Sequence, residues 1–217
     1  MSKYLILLKD EDYMIWPILT YIFKFFINIY YILYVTPLIY NIIPVLVIII
    51  YDILQIFISI TYNLKNRVPF YDKIDYISIN GKILINTYMY YIAYISKLDN
   101  IICHIIQHTN ILLTIYMACI SLFVRDNKYY ICRKEKYTYI GAIFLMGVIP
   151  MILDNSMYRN NIYTNYCIIC YIIGGIIWVF EIPERYIKIR YFDSVGWMHI
   201  CVIVGDIFLI NSIGYIR

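Results

Sequence analysis

Charge is what this sequence has least of. Asp, Glu, Lys and Arg make up 15% of its 217 residues while 63% are hydrophobic, and a water-soluble domain carries about 25% charged residues. A soluble globular domain is excluded on that ground. The net charge of +4 is spread between apolar runs rather than gathered in one patch, so there is no electrostatic footprint for a phosphate backbone and no nucleic-acid partner is expected. Also missing are a Gly-x-Ser-x-Gly element, a P-loop and a dinucleotide-binding glycine pattern. No Asn-x-Ser/Thr acceptor, solenoid-length repeat or low-complexity tail occurs, and the chain reads as one domain. A cleavable leader is not expected, because Lys9-Asp10-Glu11-Asp12 precede a first apolar run too long for a signal-peptide core.

What the sequence does have is apolar length. A membrane helix needs about 20 apolar residues, because only a helix closes its backbone hydrogen bonds within one segment in hydrocarbon. Such runs occupy 14–35, 39–61, 76–95, 105–124, 137–153, 165–181 and 194–214. They predict an all-α bundle of seven transmembrane helices in a multi-pass membrane protein, with residues 1–13 as a short segment ahead of a 14–217 membrane domain. Polar connectors such as Asn63-Leu64-Lys65-Asn66-Arg67, Arg125-Asp126-Asn127-Lys128 and Asn155-Ser156 separate the runs. A transmembrane barrel would need strict alternation, and Ile42-Ile43-Pro44-Val45-Leu46-Val47-Ile48 does not alternate.

Basic residues near span ends stay on the cytoplasmic side. Lys3, Lys9, Lys65, Arg67, Lys73, Arg125, Lys128, Arg133, Lys134, Lys136, Arg185, Lys188 and Arg190 fall on one side of the alternating connectors; only Lys97, Arg159 and Arg217 fall on the other. This predicts a cytoplasmic N-terminus and a C-terminus on the opposite side, the reverse of G-protein-coupled receptors.

An ionisable side chain inside a span costs ~2.5–3.5 kcal/mol on insertion scales and calls for a partner or a function. Asp52, Lys82 and Asp206 are such residues, with Lys24 and His199 beside them. His199, Ile203 and Asp206 share one helical face, as do Asp75 and Lys82. The expected arrangement is a buried ion pair of Lys82 with Asp206 or Asp52, with a proton or ligand path as the alternative. His104 and His108, at i and i+4, have a spacing that metals use, but an interfacial helix or loop suits them better. Cys167-x-x-Cys170 lies in an apolar run, where helix packing is the expected role, and the six cysteines form no disulfide framework. Gly174-Gly175 are expected to permit close helix approach.

From Tyr171 the chain reads Tyr-Ile-Ile-Gly-Gly-Ile-Ile-Trp-Val-Phe-Glu-Ile-Pro-Glu-Arg-Tyr, followed by Phe192-Asp193. This resembles the sixth span and following loop of the progestin and adipoQ receptor family, which includes adiponectin receptors and haemolysin III proteins. The loop element is Ile182, Pro183, Glu184 and Arg185. Glu11 to Trp16, Lys73-Ile74-Asp75-Tyr76 and Gly147-Val148-Ile149-Pro150 resemble further family elements, so the likeness runs over nearly the full chain. The family is of seven spans with a cytoplasmic N-terminus.

The resemblance implies a zinc site, onto which Ser59, Asp75, Ser194 and His199 match. Asn63 and Val195 stand where the family has histidine, and valine has no lone pair to give a metal. The leading expectation is a receptor-like or lipid-sensing membrane protein with a degenerate metal site, without a cofactor, whose partners are membrane lipid and a lipid or protein ligand. A zinc-dependent, ceramidase-like lipid amide hydrolase is the first alternative, with Asp75 and Ser59 as catalytic positions and His199 as metal ligand. A small channel, pore or transporter using Lys82 and Asp206 is the second.

Overall fold

The computed structural model describes residues 18–35, 41–64, 69–97, 100–123, 133–182 and 194–214, which are helical almost throughout, with no strand among them. Among the described residues seven helices follow one another. They are α1 (Ile18–Val35, a π-turn over Tyr31–Val35), α2 (Ile42–Leu64), α3 (Pro69–Ala93), α4 (Ile101–Phe123), α5 (Arg133–Asp154), α6 (Ile162–Val179) and α7 (Ser194–Gly214). All except α3 are long and apolar enough to cross a membrane. The chain is an all-helical, multi-pass membrane protein.

The distribution of polarity confirms the solvent. Phe23, Phe26, Ile43, Ile50 and Leu112 are more than 60% exposed, whereas Lys24, Asp52, Lys82 and Asp206 are at most 5% exposed. A water-soluble fold does the reverse, and hydrocarbon demands this pattern. The same logic explains α3. It packs against α2, α4, α5 and α7, so its Ser78, Asn80, Lys82, Asn86 and Thr87 are buried in the bundle and not presented to lipid.

Helix limits depart from the apolar runs where local chemistry extends them. The third helix begins at Pro69, seven residues before the expected 76, because proline is well tolerated in the first turn, where its missing N–H goes unused. The sixth begins at Ile162, capped by Asn161, whose side chain accepts from the Tyr163 N–H at 2.9 Å. Asn155-Ser156, expected as a connector, instead continues α5 as a π-turn over Asn155–Arg159. Asn160 ends that turn in the left-handed region (φ 49°), its N–H donating to the Asn155 carbonyl at 2.7 Å. The last helix keeps the expected 194–214. Residues 1–17 and the loop element Pro183, Glu184 and Arg185 lie outside the described residues, as do the connectors 65–68 and 124–132.

Consecutive helices run up and down, and the two ends of the bundle differ. At the end where α3, α5 and α7 finish, Val45, Ile48, Ile49, Tyr90, Tyr94, Met151, Leu209, Ile210 and Ile213 form one dense core. A polar clasp closes that end: Tyr90 donates to Asp154 at 2.9 Å, the Arg159 Nε lies 3.1 Å from the same carboxylate, and the Arg159 guanidinium sits 3.6 Å over the Tyr94 ring. Tyr94 in turn donates to the Ser212 carbonyl. Toward the other end the interior is hollow.

Candidate functional site

Four charged side chains meet where the dense half gives way to the hollow one. Lys24 comes from α1, Asp52 from α2, Lys82 from α3 and Asp206 from α7. Lys24 Nζ lies 2.6 Å from Asp206 Oδ2 and 3.4 Å from Asp52 Oδ2; Lys82 Nζ lies 3.2 Å from Asp206 Oδ2 and also pairs with Asp52 Oδ1. Two ammonium groups and two carboxylates sum to zero formal charge, and each faces an opposite partner out of water. The remaining Asp206 oxygen accepts from Asn86 Nδ2 at 2.9 Å and from the Tyr171 hydroxyl at 2.5 Å. Gly205 makes the last bond possible: a Cβ there would stand 2.5 Å from the Tyr171 ring.

A second cluster lies nearer the hollow end. Ser59 on α2 donates to Asp75 on α3, and Tyr21 of α1 lies beside both. The Tyr21 hydroxyl lies 3.1 Å from His199 Nε2, and the two rings meet edge-on with centroids 4.7 Å apart. Four helices are tied together by this chain of small polar groups.

Between the helices is a cavity of about 490 Å³. Its walls are mainly apolar, including Ile83, Phe144, Leu145, Ile172, Ile176, Val179 and Val202, and the polar side chains on them are Thr20, Tyr21, Lys24, Gln55, Lys82, Asn86, Thr87, Tyr171 and His199. Neither Asp52 nor Asp206 is among the lining residues. The wall therefore carries the side chains of both lysines, with the Lys82 ammonium itself buried against the carboxylates behind it. α5 and α6, joined through a turn in which the Asn161 N–H donates to Asn155 Oδ1 at 2.7 Å, both contribute to its wall.

The expected ion pairing of Lys82 is present, with both aspartates at once. Asp75 and Lys82 share a helix but serve different clusters, as do His199 and Asp206. Ser59, Asp75 and His199 are brought into one cluster, joined by Tyr21. His104 and His108 sit on α4 at the far end: the Tyr91 hydroxyl is 2.6 Å from His104 Nδ1, and His108 Nδ1 turns back to the His104 carbonyl at 2.7 Å. Cys167 packs into the dense core. Of the two glycines expected to allow close approach, Gly174 does so, 2.9 Å from Cys201 on adding a Cβ, but Gly175 meets nothing within 4 Å and borders the cavity. Tyr21, Asn86 and Tyr171 were not signalled by the sequence reading; Tyr21 and Asn86 stand three and four positions from Lys24 and Lys82, on the same helical faces.

No family model matches the chain. No curated protein matches it either. Its site must be judged on its own geometry. Among the described residues no three His, Cys, Asp or Glu side chains are grouped to hold a metal ion.

Proposed function

We propose that this chain is a receptor-like, lipid-binding membrane protein of the progestin and adipoQ receptor type, crossing the bilayer seven times from a cytoplasmic N-terminus, with a degenerate metal centre. The observation that carries the reading is the cavity: mainly apolar walls suited to an acyl chain, with a few polar side chains, Tyr21, Lys24 and His199 among them, on the same wall. The seventh crossing is α3, whose 25 residues span about 37 Å at helical rise. Its polar side chains are enclosed by neighbouring helices.

The residues present do not fit a zinc centre. His199 Nε2 is engaged by Tyr21 and one Asp75 oxygen by Ser59, and Val195 has no donor atom for a fourth bond. Three or four N, O or S ligands are needed for a tight site. A pore reading is disfavoured by the packed side chains beyond the ionic cluster, where Val45, Ile48, Ile49 and Leu209 have no exposed surface.

Two measurements on the purified full chain test this. After a chelator wash, elemental analysis is expected to find far less than one zinc per chain; stoichiometric zinc overturns the degenerate-site reading. In nanodiscs of phosphatidylcholine, a pyrene-labelled acyl probe is expected to bind saturably, and absence of saturable binding overturns the lipid-binding reading.

A further inference from the structure

α1 reaches the cavity with one face, and that face also fastens the cavity half of the helix; its other half is held by Tyr31, which packs into the core and whose hydroxyl accepts from Asn211 at 3.2 Å. Tyr21 and Lys24 both lie on the cavity wall. Tyr21 is 3.1 Å from His199 on α7, and Lys24 is 2.6 Å from Asp206 on α7 and 3.4 Å from Asp52 on α2. An occupant with an anionic head competes with Asp206 and Asp52 for Lys24, and one that hydrogen-bonds Tyr21 competes with His199.

We propose that an acidic single-chain amphiphile in the cavity loosens α1 from the bundle, so that occupancy is reported by the N-terminal helix. This rests on the lipid-binding reading above. A ligand shifts a conformational equilibrium only by its differential affinity for the two states. A carboxyl head has such a difference, because it gains Lys24 as a partner when Lys24 leaves Asp206. An ester of the same chain keeps the apolar contacts and has no charge to offer. The ionic cluster is neutral, so the acid enters from lipid as the uncharged carboxylic acid. Its proton passes to the carboxylate that Lys24 vacates, its own carboxylate then pairs with Lys24, and the net charge of the site is unchanged.

The test places spin labels at two lipid-facing positions, Phe26 on α1 and Leu112 on α4, which are 64% and 67% exposed, in a cysteine-free full chain in phosphatidylcholine nanodiscs. Dipolar distance measurements are made with hexadecanoic acid, with methyl hexadecanoate and with neither. Binding of both is measured by displacement of the pyrene acyl probe. At equal occupancy the acid is expected to raise the fraction of a second label distance several-fold, and the ester is not. In the charge-balanced pair Lys24→Met with Asp52→Asn the acid should lose that effect. If the acid displaces the probe and the distances stay unchanged, or if acid and ester act alike, the coupling is wrong while the lipid reading stands. If neither displaces the probe, the lipid reading falls and the coupling with it.

Discussion

Lys24 Nζ on the first helix and Asp206 Oδ2 on the last stand 2.6 Å apart, both side chains more than nine-tenths buried. With Lys82 and Asp52 they make the neutral centre of the bundle. Removing one partner strands a charge in low dielectric, at about 3–5 kcal/mol for a buried pair. Lys82→Met is therefore expected to lose about that much stability, and Lys82→Met with Asp52→Asn to recover most of it. Thermal unfolding in detergent of the two variants reads the difference; equal losses would show that pairing is not what stabilises the centre.

Two glycines on facing helices should respond oppositely to substitution. A Cβ at Gly205 would stand 2.5 Å from the Tyr171 ring, and overpacking of this kind costs about 1–3 kcal/mol. Gly205→Ala is expected to lower the melting temperature. Gly175 has open space around its Cβ and borders the cavity. Gly175→Phe is expected to fold with near-normal stability while abolishing binding of the acyl probe.

The clasp at the packed end is separate from the cavity. Asp154 joins Tyr90 and Arg159 there, and none of the three lines the cavity. Asp154→Ala leaves a buried phenol and a guanidinium without their acceptor, at about 1–3 kcal/mol. The expected outcome is a less stable protein with unchanged probe affinity; an affinity loss as large as the stability loss would show that the two halves are not independent.

If α3 crosses the bilayer, its two ends are on opposite sides. Single cysteines at Lys73 and Ser96, in a cysteine-free chain in sealed vesicles, should then react with a membrane-impermeant maleimide from opposite faces. Reaction of both from one face would reduce the crossings to the six apolar helices.

The helices were legible in the sequence because the bilayer sets a minimum apolar length that few other constraints imitate. The start of α3 was not, since Pro69 to Asp75 is polar and its helical state depends on neighbours rather than on its own hydropathy. Asp52, Lys82 and Asp206 stood out because charge is rare inside apolar runs, and their convergence followed from the need for partners. Tyr21 and Tyr171 were hidden among 27 tyrosines, where nothing marks which hydroxyl faces inward. The cavity was illegible for a different reason: a void depends on how far neighbouring helices stand apart, and no residue pattern in the sequence fixes that spacing.

The neutral centre also constrains the order in which the protein is made. The chain is synthesised from its N-terminus, so Lys24 and Asp52 enter the bilayer as a balanced first hairpin. Lys82 then arrives with α3, and its second carboxylate, Asp206, is encoded in the last helix. Until α7 emerges, the half-assembled bundle holds one positive charge too many. Truncation before Ser194 therefore removes more than a helix: it leaves Lys24 and Lys82 with Asp52 alone to balance them.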